Sequence, residues 1–318
     1  MAKILLMGVL FFGLTLSWLF AQADCFVIRG TTLVRYQGSE YHVTIPDGVT
    51  NIALDAFAGN NFPVSITIPP AVTTIGNRAF ANARGLRHVT ILSRVTAIGD
   101  HAFFSAGNLT TITLPESVTT IGDFAFARCF ALRSVPIHGP VTRIGHGAFQ
   151  YTTSLTYIAL PETVTFIGNH AFAGSGLTRI SLPPHLTSIG AGAFSRSVNL
   201  VSVVLPPSIT AIPERTFEGN TSLANIIIPR GVSSIGASAF EGNTSLATIV
   251  IPPSVTYIGH RAFARNTSLF SIIIPPSVIS IGDEAFEGST SLRTVMVSRT
   301  TRLGRNVFPP GAQITFHD

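Results

Sequence analysis

The sequence predicts a solenoid of about twelve stacked coils, on two observations: a phenylalanine recurring at a fixed step, and apolar residues cut into strand-length pieces. The markers are Phe57, Phe80, Phe103, Phe126, Phe149, Phe172, Phe194, Phe217, Phe240, Phe263, Phe286 and Phe308. The step is 23 residues, shortened to 22 at Phe172 to Phe194 and again at Phe286 to Phe308. A unit this short has too little apolar surface to fold alone, so its stability must come from its neighbours. With 46% hydrophobic and 11% charged residues the composition could be mistaken for that of a membrane protein, yet past the amino terminus no apolar run reaches the length of a span. Short Ile/Val/Leu pieces bounded by Pro, Gly, Thr and Ser are how buried strands read.

Each part of the unit has its own task, and the stretch from Leu246 to Phe263 is representative. In the L-x-x-I-x-I segment Ile249 and Ile251 alternate inward, while Thr248 and Val250 point out of a parallel sheet. Pro252 cannot donate to a ladder and ends the strand. The V-T-x-I text that follows supplies a second short extended stretch on the far side of the coil. The glycine after it, as at Gly76, Gly99, Gly122 and Gly259, is expected to permit a left-handed or tight backbone leading into one helical turn. Ala-Phe then fills the core, and Asn-Thr-Ser before Leu223, Leu246 and Leu269 returns the chain to the next strand. Pro213 replaces the turn glycine in one coil, and Pro136 lies inside a strand, so an irregular pair of coils is expected around Pro136.

The ends are different. Residues 1–23 carry one cation, Lys3, then an apolar stretch from Ile4 to Phe20, then Ala21-Gln22-Ala23, a pattern that a signal peptidase accepts. Cleavage is therefore expected before Asp24, giving an exported chain with no membrane span; an uncleaved anchor helix and a lipidated Cys25 are the alternatives. The mature chain would hold 19 arginines against 15 acidic residues. Residues 24–40 read as a hairpin cap in which Phe26-Val27-Ile28 and Leu33-Val34-Arg35-Tyr36 flank a turn, 41–298 as the repeats, and 299–318 as a last partial repeat and cap with a short strand at Ile314-Thr315-Phe316. Cys25 and Cys129 are about four coils apart, on the order of 20 Å, too far for a disulfide.

The recurring text L-x-x-I-x-I-P-x-x-V-T-x-I-G-x-x-A-F resembles the BspA-like class of leucine-rich repeats, also called the Treponema pallidum type. Ile45-Pro46-Asp47-Gly48-Val49, closing the leading segment, is similar to the opening of such proteins. The resemblance covers residues 26 to 316. It implies a leucine-rich-repeat solenoid, a right-handed curved coil with parallel strands on its concave face, and a role in adhesion or protein binding at cell surfaces. It brings no catalytic residues. Cys129 is the one cysteine at a repeat position where relatives often carry one per coil.

The outward strand positions divide the molecule. The fifth position of L-x-x-I-x-I runs Thr44, Thr67, Thr90, Thr113, Pro136, Ala159, Ser181, and then Val204, Ile227, Val250, Ile273 and Met296, before Thr315. The five large apolar residues would form a stripe about 19 Å long at the strand spacing of about 4.8 Å. Ser202, Asn225, Thr248, Ser271 and Thr294 at the third position would edge it with polar groups. The binding residues are therefore expected to be Val204, Ile227, Val250, Ile273 and Met296 with Asn225, Thr248 and Ser271, taking a protein or apolar ligand, including a host extracellular protein, or a second copy of the chain. The plainer alternative is that β-branched residues favour strands and pack along a sheet face.

Other chemistries find little support. The arginines Arg78, Arg128, Arg143, Arg196 and Arg261 occupy different phases of the repeat, whereas nucleic acid needs them gathered on one face. His101 and His170 share one phase, His146 and His260 another, and only His146 and His170 come from adjacent coils, so no metal is expected. No phosphate loop, nucleophile elbow or carboxylate pair appears; neither an enzyme nor a cofactor is expected. A self-associating envelope component and a carbohydrate-binding protein remain the other classes, the second disfavoured because Tyr157 is the lone aromatic among the outward strand positions. Asn108, Asn220, Asn243 and Asn266 match the glycosylation acceptor pattern; in a bacterium they are turn residues, and in a eukaryotic secretory pathway the last three would place sugars along one ridge.

Overall fold

The computed structural model describes residues 25–317; the expected signal peptide at 1–23 lies outside them. The chain winds as a parallel-strand solenoid of about twelve coils in the predicted register, and three hydrogen-bonded ladders run along it. The first is a broad sheet of three- to five-residue strands, beginning His42–Thr44, Ser65–Ile68 and His88–Ile91 and ending at the terminal strand Gln313–His317. Across the coil lies a narrow ladder of two-residue strands from Asn51–Ile52 to Arg302–Leu303. An antiparallel hairpin, Phe26–Arg29 with Thr32–Tyr36, starts the narrow ladder by pairing Leu33 with Ile52.

The third ladder passes through the phenylalanines, and here the sequence-based expectation of a helical turn is corrected. Among the described residues there is no helix. Alternate amides instead donate to the next coil, Arg78 to Asp100, Phe80 to Ala102 and Asn82 to Phe104, at 2.7–2.9 Å. The amides between them close tight turns, Ala79 onto Gly76 and Ala81 onto Arg78. Two positions per coil are left-handed to allow this, and Arg78 and Asn82, both at φ 57°, are typical. A helix would turn its amides along its own axis and leave the next coil unpaired.

The glycines that follow V-T-x-I are therefore not the left-handed residues. Gly76, Gly99, Gly122 and Gly259 keep negative φ, and what they require is space: a Cβ on Gly76 would lie 2.8 Å from the carbonyl oxygen of Ile52 in the coil before, and one on Gly259 2.6 Å from the amide nitrogen of Ala237. Removing the side chain lets successive coils touch backbone to backbone.

Inside, the marker phenylalanines form a single column. From Phe57 to Phe308 each ring lies 4.9–5.6 Å from the next, most of them with nearly parallel planes, and Tyr36 and Phe26 extend the stack into the hairpin. Phe57 through Phe286 are at most 1% exposed. Burying each ring contributes about 2–3 kcal/mol and each offset stack about 1 kcal/mol more, repeated at every coil. Outside the core, threonines brace the narrow ladder: the hydroxyls of Thr73, Thr119 and Thr165 donate to the carbonyls of Thr50, Thr96 and Thr142 one coil back.

The ladders break where proline removes a donor, and once where it does not. The expected irregularity around Pro136 is present: the broad sheet stops after Thr111–Thr113, only the isolated bridges Thr111 to Ser134 and Ala159 to Ser181 span the gap, and pairing resumes at Arg179–Ser181. At Pro213 the narrow ladder is cut between Ser188–Ile189 and Ala211–Ile212. The flanking Gly190 and Gly236 each donate to the preceding coil, a bond that proline cannot make. A further gap at residues 248–250 separates Asn225–Ile227 from Ser271–Ile273, and no residue there explains it.

Candidate functional site

The broad sheet presents its third- and fifth-position side chains to solvent, because the fourth and sixth are held in the core by the pleat. Val204, Ile227, Val250, Ile273 and Met296 all face outward, 65%, 70%, 80%, 63% and 40% exposed. Val204 is in register with Ile227 and Ile273 with Met296, whereas Val250 lies in the coil that leaves the ladder. The strip is thus two laddered pairs bridged by the most exposed of the five residues. Asn225, Thr248 and Ser271 are exposed in the third-position row beside it. Val201 and Phe270, two more exposed apolar residues, stand at the second position of the first and fourth coils, on the far side of the polar third-position row; the fifth-position pattern alone does not reveal them.

At the other end of the same sheet the outward groups satisfy one another. Thr44, Thr67, Thr90 and Thr113 are in register, and the third-position row above them pairs His42 Nδ1 with the Ser65 hydroxyl at 2.7 Å and His88 Nδ1 with the Thr111 hydroxyl at 2.8 Å.

Polar residues that the sequence offers as possible ligands or acceptors are used by the fold. In four consecutive coils the side chain after the ladder glycine accepts the amide of its counterpart in the next coil: Asn77 from Asp100, Asp100 from Asp123, Asp123 from His146, and His146 Nδ1 from Asn169, at 2.8–2.9 Å. His170 lies over Gly192, as Phe124 lies over Gly147 and Tyr151 over Gly174, so a bulky left-handed residue is seated on the glycine one coil later. Among the described residues no three of His, Cys, Asp and Glu gather around one point. Asn220, Asn243 and Asn266 are fully buried, and the Asn243 side-chain oxygen accepts the Asn220 amide. The folded chain therefore does not present these three to a glycosylating enzyme, which agrees with their reading as turn residues; Asn108 alone of the four is exposed. Cys129 occupies the same interior row, its thiol donating to the Phe103 carbonyl, with burial pushing its pKa up.

Among the described residues, a charge cluster with buried character lies on the turn ridge. Arg261, about a quarter exposed, reaches Glu241 at 2.9 Å and Glu284 at 3.2 Å, tying three consecutive coils together. Its three carboxylate neighbours, Glu287 included, make it a brace for the turns.

A model of the BspA type leucine rich repeat region matches this chain over residues 36–156, 142–269 and 193–315. The chain belongs to the BspA-type leucine-rich-repeat family. Among solved structures it is similar to a leucine rich cell surface protein from Faecalibacterium prausnitzii, at 28% identity over 92% of this chain and 93% of that one, with a TM-score of 0.62. A leucine-rich repeat protein from Bacteroides ovatus is 25% identical over 92% and 91% of the two chains, with a TM-score of 0.59. The pneumococcal vaccine antigen PcpA, 19% identical over 92% of this chain and 85% of its own, shares the fold with a TM-score of 0.58. No match was found among curated proteins. No helix among the described residues is long and apolar enough to cross a membrane.

Proposed function

We propose that this BspA-type chain is an exported, non-enzymatic scaffold that binds a protein partner through the outward face of its broad sheet, at the strip from Val204 to Met296. The observation that carries this reading is the exposure of five large apolar side chains at one repeat position in five consecutive coils. Leaving them in water is unfavourable by about 25 cal/mol per Å² of apolar surface, and contiguous patches of this kind on a soluble protein mark contact sites. Packing along the sheet does not require them, since the amino-terminal coils build the same sheet with threonine. The Faecalibacterium relative is a cell surface protein, which agrees with export and with a host extracellular protein as the partner.

Replacing Ile227, Val250 and Ile273 together with serine tests the reading. Capture of extracellular-matrix or serum protein should be lost while circular dichroism stays unchanged. Retained capture would sink it. If the wild type instead forms dimers in light scattering and the triple variant does not, the strip is a contact between two copies.

A further inference from the structure

The apolar strip leaves the other half of the broad sheet's outward face unassigned, and the charge of that face is one-sided. From Tyr41 to Thr315 no second, third or fifth position of the repeat holds Asp or Glu, while Arg87, Arg133, Arg179 and Arg293 stand there. The acidic residues are elsewhere on the coil: Asp100, Glu218 and Glu241 on the turn ridge, for example, and Glu116 and Glu162 just past the proline that ends the strand. Three of the four arginines recur at a regular interval. Arg87 and Arg133 occupy the second position two coils apart, and Arg179 follows two coils later at the third, one place along because a coil between them is a residue shorter. At about 4.8 Å per coil this sets them about 10 Å apart along the edge where the strands begin. All three are exposed, and none forms an ion pair with another described residue. Like charge gathered unopposed on one face raises the local concentration of anions.

The side chains between them select the anion. From Arg87 to Arg179 the outward positions are chiefly hydroxyls, such as Thr113, Ser134 and Ser181, and Tyr157 is the one large apolar group. Its ring is half exposed, with the Arg179 guanidinium 5.7 Å from the ring centre and Arg133 in the coil before. A folded protein needs an apolar centre to its contact, and these coils offer none. A single strand of nucleic acid stacks successive bases on successive rings, and here there is one ring. Cations about 10 Å apart also match a duplex poorly, since it carries a phosphate about every 3.4 Å along each strand. Hydroxyl partners, one aromatic platform and widely spaced cations suit a chain of sugars that carries sulfate at intervals.

We infer that Arg87, Arg133 and Arg179, with Tyr157, bind a linear sulfated polysaccharide laid across the coils on the amino-terminal half of this face. Its sulfates meet the arginines, the apolar face of one sugar rests on Tyr157, and its hydroxyls exchange hydrogen bonds with the threonine and serine rows. The site is separate from the apolar strip and does not depend on what the strip binds.

Calorimetric titration of a heparin oligosaccharide into the full chain, at low and at physiological salt, is the test. Changing Arg87, Arg133 and Arg179 together to serine should weaken binding by about tenfold or more. The same loss of charge on other faces, by changing the exposed Arg230, Arg302 and Arg305 to serine, should weaken it by less than about threefold. Tyr157→Ala should weaken it further by an amount that salt does not alter, which attraction of charge alone would not produce. All these side chains are exposed, so circular dichroism should be unchanged in every variant. The Ile227, Val250 and Ile273 serine variant should bind the oligosaccharide as the wild type does, so failure of the strip and failure of this site are separable. Equal losses in the two arginine triples, or equal binding of the desulfated oligosaccharide, would overturn the inference. So would tighter binding of a single-stranded oligonucleotide of equal charge, which would assign the edge to nucleic acid.

Discussion

The coils around Thr44 to Thr113 and those around Val204 to Met296 share one core and one period, yet they present opposite surfaces. Their inward positions are interchangeable: Ile66 and Ile226, or Phe80 and Phe240, are buried alike. Their outward positions are threonine with hydrogen-bonded histidine neighbours in one region, and exposed valine, isoleucine and methionine in the other. The core column constrains what points inward and is indifferent to what points outward, so a repeat protein can change its surface coil by coil without changing its fold. That indifference is what makes the apolar strip informative.

The comparison can be broken or sharpened at several points. If the two regions are equivalent inside, Phe103→Ala and Phe240→Ala should each cost about 3–5 kcal/mol in urea unfolding, since each leaves a void in the ring column; a much smaller loss on one side would mean that the column is not shared. Gly145→Ala should cost less, on the order of 2–3 kcal/mol, because its Cβ would meet the Gly122 carbonyl carbon at 2.5 Å and backbone yields poorly. Grafting the strip onto the other region, by Thr67→Ile, Thr90→Val and Thr113→Ile, should shift stability by no more than about 0.5 kcal/mol per site while creating a second apolar surface that binds a hydrophobic dye. No gain in dye fluorescence would mean that these side chains do not make a patch by themselves. The smallest effect is expected at Arg78→Ala, which removes an exposed 2.9 Å pair with Asp55 and should cost under about 1 kcal/mol, less in high salt.

Cys129 gives a pH signature independent of the surface. Its thiol is fully buried and its pKa is raised by desolvation, so the folded chain holds the proton more tightly than the unfolded chain does. Stability is therefore unaffected below the ordinary thiol value of about 8.5 and falls as pH rises beyond it, where only the unfolded thiol ionises. Cys129→Ala should flatten that slope in urea titrations between neutral and alkaline pH, and the native thiol should resist alkylation until the protein unfolds.

Much of this was legible from spacing. The 23-residue step, the inward Ile pair and the column of phenylalanines follow from periodicity, because a coil that must stack on copies of itself repeats its buried residues in register. The disruption at Pro136 followed from a missing donor. The turns did not: a run such as His260-Arg261-Ala262-Phe263 reads as a helical turn, and only the neighbouring coil, offering carbonyls to alternate amides, makes left-handed residues the better solution. The same neighbour explains why Gly76 and Gly259 are glycine and why Asn220, Asn243 and Asn266 are buried.

By itself the sequence determined the period, the coil and the order of outward residues, since these depend on which side chains avoid water within one unit. The tertiary structure alone decided the turn geometry and the gap at residues 248–250. Those features depend on what the adjacent coil offers or withholds, a contact between residues about 23 apart that no single repeat contains.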